Sequence, residues 1–290
     1  VSATINDTSL SAPNFLLTTG ADTGADFTGT SADEIYSATV LTANDGDSLD
    51  GGEGADSLAL ETASNITDQF ITKSIETISV TSLGALTVDT ASMTGLTTLN
   101  NNDSSGALTV NNIAAATLNV GMKGTATNSI DLNYAANVLS GSSDTLNVTL
   151  NGSSGSVVTA DTGFESVVID TTASSTLSTL TAPTATTLTL SGTGALTVDD
   201  GTIDAFTTYV VTNTGAVKVG TISTVGSFVS TGNTGGVTQD TTTSATLTNG
   251  TSSKALTMAT AGGTVTLGEG DDILNVSTVN TFTTGSTTIK

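Results

Sequence analysis

The sequence predicts an all-β chain wound as a β-solenoid (parallel β-helix) with short Gly/Asp turns, on three observations. First, a unit recurs. Gly-Ala-Leu-Thr-Val stands at Gly84, Gly106 and Gly194, with variants at Gly215 and Gly235, giving steps of 22, 21 and 20 residues between Gly84 and Gly106, Gly194 and Gly215, and Gly215 and Gly235. A fixed period in that range marks stacked repeats that share one core. Second, each unit holds two short runs in which Leu, Val or Ile alternates with Thr, Ser or Asn, the pattern of a half-buried strand. Third, only 3% of the 290 residues are aromatic and Trp is absent. Such a chain has few rings to pack around and suits a thin core of stacked aliphatics. Tandem β-sandwich domains are the alternative fold, since they also show short strands separated by turns.

In chain order, residues 1–64 form an N-terminal region rich in Gly and Asp. Gly20, Asp22 and Asp26 lie in one such turn, and Gly29-Thr30-Ser31-Ala32-Asp33-Glu34-Ile35 in a second. The densest stretch is 44–60, where Asp47-Ser48-Leu49 and Asp56-Ser57-Leu58 stand nine residues apart and Gly51-Gly52-Glu53-Gly54-Ala55-Asp56-Ser57-Leu58 reads Gly-Gly-x-Gly-x-Asp-x-Leu. Residues 65–290 form the Thr/Val-rich solenoid. The segment 65–73 is the one helix candidate, and runs such as 75–80 with 85–88, or 188–190 with 195–198, are its strand pairs. Glu76-Thr77-Ile78 and Glu165-Ser166-Val167 are near copies 89 residues apart, which suggests a duplication. A second Gly/Asp turn lies near 268–276, where Gly268-Glu269-Gly270-Asp271-Asp272-Ile273-Leu274 repeats the earlier pattern.

Charge and composition exclude several functions. Five basic against 27 acidic residues leave a net charge of −22, which disfavours nucleic acid and anionic membranes and favours cations. The acids are gathered in a few places, because charged residues total 11%. With no His and no Cys, thiolate zinc sites, disulfides and His-based acid–base catalysis are ruled out. Paired carboxylates alone would serve a glycosidase or lyase. However, the acids lack adjoining aromatic platforms and basic residues, so no enzyme is expected. No run approaches the length of a membrane span, so no membrane insertion is expected.

The Gly/Asp turns suit a hard cation. Glycines let a tight turn present backbone carbonyls, Asp adds carboxylates, and calcium takes six to eight oxygens. The competing reading is that Gly and Asp are simply good turn formers. Glu76 and Glu165 read as solvated or hydrogen-bonding loop acids.

On these residues the chain resembles the RTX repeat family, in which calcium sits between successive turns. The match covers about fifteen residues, with fewer than two full repeats. The resemblance implies Gly52, Gly54 and Asp56 as ligands, with Asp47 and Asp50 in the adjoining turn, and one or two calcium ions. Asp45 joins them in the degenerate Asn44-Asp45-Gly46 turn. Asp22, Asp26 and Asp33, and Gly268, Gly270, Asp271 and Asp272, are further candidates. The Thr/Ser/Gly-rich composition, the missing Cys and the Gly-Asp-Ser-Leu-Asp-Gly-Gly phrase also resemble bacterial S-layer proteins exported with such repeats.

That resemblance implies a secreted or cell-surface structural protein, exported without an N-terminal signal peptide. Its expected partners are copies of itself, in a calcium-dependent layer or fibre, and cell-surface polysaccharide. An adhesin or binding module on a longer secreted protein is the alternative.

Overall fold

A computed structural model describes residues 14–124, 129–199, 206–222, 227–230, 233–241, 245–249, 256–258, 263–266 and 274–276. The strands order into a long sheet of 13, a second sheet of 10 and a short sheet of 3. Every pairing within them is parallel, so the chain is a β-solenoid. Tandem sandwiches, which are built from antiparallel sheets, are excluded.

Each coil contributes one strand to the long sheet, and register partners are consecutive coils. Thr77 pairs with Thr98, Thr145 with Ser166, and Thr187 with Thr208, each a step of 21 residues. The sequence repeat is thus one rung of the second sheet: Leu86 pairs with Leu108, Leu196 with Val217, and Val217 with Val237. After the first repeat, the opening glycine (Gly106, Gly194, Gly215 and Gly235) is needed because coils touch there backbone to backbone. A Cβ on Gly215 would lie 2.4 Å from the carbonyl oxygen of Gly194.

The core follows from the alternation. Tyr36, Leu58, Ile78, Leu99, Val120, Val148, Ile169, Leu190 and Val211 stack in register down the inside of the long sheet, each no more than 1% exposed. Burial of one such aliphatic side chain is worth about 1.5–3 kcal/mol, and the stack shares it along the axis. The residues between them, mostly Thr, Ser and Asn, face outward.

Residues 14–62 join this stack directly: Asn14–Leu16, Ile35–Ala38 and Ser57–Thr62 are the first strands of the long sheet. The short sheet, Ser48–Asp50, Ile71–Lys73 and Met93–Thr94, gives these early coils a third face.

The expected helix over 65–73 is corrected. Ile66 makes a parallel bridge to Val88, residues 67–70 turn with the Phe70 amide donating to the Thr67 carbonyl, and Ile71–Lys73 is a strand. β-branched Ile71 and Thr72 prefer a pleated surface, and the strands on either side supply its ladder. The one helical element among the described residues, a 3-10 turn at Gly24–Phe27, was not anticipated. Glu76 and Glu165 hold equivalent places in the coil, four strands apart along the long sheet. Both acids precede a long-sheet strand, with the strands Thr98–Asn102, Asn119–Lys123 and Thr145–Asn151 between them.

Candidate cation site in the N-terminal coils

Three loops stack where the short sheet passes to the long sheet, at residues 29–34, 51–56 and 74–76. Backbone bonds tie them coil to coil: Gly29 N–H donates to the Asp50 carbonyl (2.6 Å), Gly51 to Lys73 (2.8 Å), Glu53 to Thr30 (2.9 Å) and Glu76 to Asp56 (3.1 Å). The Gly-Gly-x-Gly pattern is what this stacking demands. Gly52 and Gly54 have φ of 90° and 127°, which L side chains rarely adopt. At Gly51 a Cβ would stand 1.9 Å from the Ser74 carbonyl oxygen and 2.4 Å from Asp56 Oδ2. The same arrangement recurs one coil earlier, where a Cβ on Gly29 would meet the Gly51 carbonyl oxygen at 2.0 Å and Glu34 Oε2 at 2.4 Å. Each glycine therefore leaves a point flanked by one carbonyl and one carboxylate oxygen.

The carboxylates form a column, one per coil: Glu34, Asp56 and Glu76. Each accepts a backbone amide, and two of the bonds link neighbouring coils. Glu34 N–H donates to Asp56 Oδ1 (2.6 Å) and Asp56 N–H to Glu76 Oε2 (2.8 Å). Glu34 in turn accepts the Thr30 hydroxyl at Oε1 (2.6 Å) and the Thr30 amide at Oε2 (3.1 Å). The odd atom is Asp56 Oδ2, which is buried and has no hydrogen-bond partner, on a residue 1% exposed. An unpaired buried carboxylate oxygen is costly. Burial first, then the charge of Glu34 and a hydrogen bond shared with its carboxyl, and last the charge of Glu76, push the Asp56 carboxyl up to about 6, against the lowering effect of the Glu34 amide. The Tyr36 hydroxyl, which donates to the Asp50 carbonyl (2.8 Å), is also shifted up, by burial and then by Glu34, Asp56 and Asp50.

The other expected ligands are already engaged. Asp47 accepts the Asp22 amide at 2.9 Å and the Asn44 amide at 2.8 Å, and burial raises its carboxyl above the usual range. Asp22 accepts both the amide and the hydroxyl of Thr18, each at 2.7 Å. Asp45 accepts the Thr67 hydroxyl, Asp33 the Ala55 amide and Asp50 the Gly52 amide, and Asp50 also pairs with Lys73 at 2.6 Å. Asp26 sits exposed on the 3-10 turn. Gly52 and Gly54 lie in the stacked loop, each against a carbonyl of the preceding coil, Thr30 and Ala32. Gly268, Gly270, Asp271 and Asp272 lie outside the described residues.

Among the described residues no three carboxylates converge on one point. The candidate donors are therefore two pairs, one coil apart: Asp56 Oδ2 with the Ser74 carbonyl, and Glu34 Oε2 with the Gly51 carbonyl. Sequence reasoning missed Glu34, Gly51 and Ser74 as contributors. The available signal was an acid immediately before each apolar strand, as in Glu34-Ile35, Asp56-Ser57-Leu58 and Glu76-Thr77-Ile78. Glu76 and Glu165 behave as the hydrogen-bonding acids expected; Glu165 Oε2 accepts the Asp144 amide at 2.7 Å. Among the described residues no helix is long and apolar enough to cross a membrane. Comparison with protein-family models, with curated proteins and with solved structures returns no match for this chain.

Proposed function

We propose that the chain is a structural, non-enzymatic protein of a bacterial cell surface, related to the RTX-type S-layer proteins, and that calcium governs both its stability and its assembly with copies of itself. The observation that carries this reading is Asp56 Oδ2, buried without a partner beside the Ser74 carbonyl. The Ser74 carbonyl and the Glu34 carboxylate near it are hard oxygen donors of the kind calcium takes, with water completing the shell. Glu34 and Asp56 would hold the ion, and it would supply positive charge that Lys and Arg do not, in a chain of net charge −22.

Neutralising acids on neighbouring copies would also remove the repulsion that keeps them apart. The remaining acids of this region support a scaffold role, since they hold one coil to the next through amides.

The test is calorimetry and light scattering of the purified chain in millimolar calcium and in chelator. A higher melting temperature and larger particles with calcium support the proposal, and no calcium dependence of either overturns it. A melting shift without any growth in particle size would favour the adhesin or stalk reading.

A further inference from the structure

The acids of this chain avoid its longest face. Of 27 acidic residues, the 13 strands of the long sheet hold two, Glu61 and Asp170. Both stand at outward positions, as does Lys123, the one basic residue in those strands. Most other outward positions are Thr, Ser or Asn, and in register they make columns such as Thr98, Asn119, Asn147, Val168 and Thr189. The second sheet is shorter, and its strands Leu86–Asp89 and Ser129–Tyr134 turn Asp89 and Asp131 outward.

Such a face suits a copy of itself. Hydroxyls and amides both donate and accept, so two like faces satisfy one another, whereas the acid-bearing turns of two copies repel. Its size is also sufficient. The 13 strands, about 4.8 Å apart, span about 60 Å, and a strand such as Thr98–Asn102 runs about 16 Å. That area, about 1,000 Å², exceeds the roughly 800 Å² per partner that a stable interface of standard size buries.

We propose that two copies pair through this face, solenoid axes antiparallel, about a two-fold axis that runs along the strand Thr145–Asn151 and passes over Asn147. This deepens the assembly proposed above and rests on it only in that copies associate. The three outward charges select the arrangement. A two-fold axis along one strand lays the strands at equal distances on either side of it against each other. Asn119–Lys123 and Ser166–Ala173 flank Thr145–Asn151, so Lys123 of each copy would face the strand that carries the partner's Asp170. Asp170 is in register with Gly121, one outward position from Lys123 or about 6.6 Å, which a lysine side chain spans. Glu61 would face the uncharged strand Ser227–Ser230. With the axes parallel instead, each strand would lie on its own copy, and Glu61, Lys123 and Asp170 would each meet a like charge, at a cost in affinity.

The experiment is sedimentation velocity of the full chain and its variants in millimolar calcium and in chelator, with a melting curve for each variant. Asn147→Lys is the decisive substitution. It makes the chain less acidic, so unspecific association of acidic copies would strengthen; on the two-fold axis the new lysine meets its own copy, and pairing should weaken about tenfold or more. Thr109→Lys, on the outer face of the second sheet, should leave association unchanged or tighter. Should Asn147→Lys not fold, Lys123→Glu alone should weaken association and Lys123→Glu with Asp170→Lys should restore it. Association of Asn147→Lys as tight as the parent's, or no rescue by the exchanged pair, overturns the face-to-face pairing and leaves calcium-dependent assembly standing. A parent chain that stays monomeric in both conditions overturns both. Dimers that Asn147→Lys weakens equally in calcium and in chelator support the face and overturn calcium as the trigger of assembly.

Discussion

Replacing Asp56 with Asn should change the sign of its effect with calcium. Asn keeps an oxygen to accept the Glu34 amide, removes a buried charge, and puts an NH2 where the unpartnered Oδ2 now lies, beside the Ser74 carbonyl. Acids one coil apart are separated by about 4.8 Å. At an effective dielectric of about 20, two such unit charges repel by about 3.5 kcal/mol before screening. Asp56 has one such neighbour on each side, Glu34 and Glu76. Even after discounting for relaxation and salt, Asp56→Asn should stabilise the chain in chelator by about 1–3 kcal/mol. That is a rise of several degrees in melting temperature, at about 2–4 °C per kcal/mol for a large domain. With calcium at about 100 times its Kd, the parent chain gains about 2.7 kcal/mol that the variant forgoes, and their order reverses or closes. Scanning calorimetry of both proteins in both conditions measures this. A variant less stable than the parent in chelator, or a difference unaffected by calcium, would refute the reasoning.

Other expectations follow from the same geometry. The Asp56 carboxyl, ordinarily near 3.8, rises to about 6 in the folded chain, so the native state binds a proton more readily than the unfolded one. In chelator, stability should therefore fall by about 2–3 kcal/mol as pH rises from 4 to 6, opposite to ordinary acid denaturation, with Asp47 adding in the same direction; pH-dependent melting curves check it. Gly106→Ala would bring a Cβ to 2.1 Å from the Gly84 carbonyl carbon, whereas Gly84→Ala meets nothing. The first should cost about 2–4 kcal/mol in denaturant titrations and the second less than about 1. Lys73→Ala breaks the ion pair with Asp50, whose side chains are 65% and 30% exposed, and should cost less than about 1 kcal/mol.

Much of the fold was legible because a solenoid repeats the same local physics in every coil. Alternation of Leu or Val with Thr fixes which face of a strand is buried, and the opening glycine of each repeat marks where coils touch. Segment 65–73 was misread because the polar run Thr67-Asp68-Gln69 between buried Ile66 and Phe70 breaks any strand alternation; Ile71–Lys73 becomes a strand through pairing with Ser48–Asp50 and Met93–Thr94. Asp22, Asp47 and Asp56 look alike in sequence. They differ in their hydrogen bonds: Thr18, four residues earlier, fills both oxygens of Asp22, Asn44 of its own turn and Asp22 of the preceding coil fill those of Asp47, and Asp56 keeps one oxygen without a partner.

Sequence by itself determined the architecture of stacked coils, the thin aliphatic core, the lack of His and Cys chemistry, and the place where acids gather. Only the tertiary structure decided which acid has a free oxygen, that Glu34 stands beside it, and that Gly121 makes room for the Asn100 side chain. The reason is that a strand's inner and outer faces are set by neighbours in sequence, while hydrogen-bond partners and gaps are set by residues one coil away, about twenty positions along the chain.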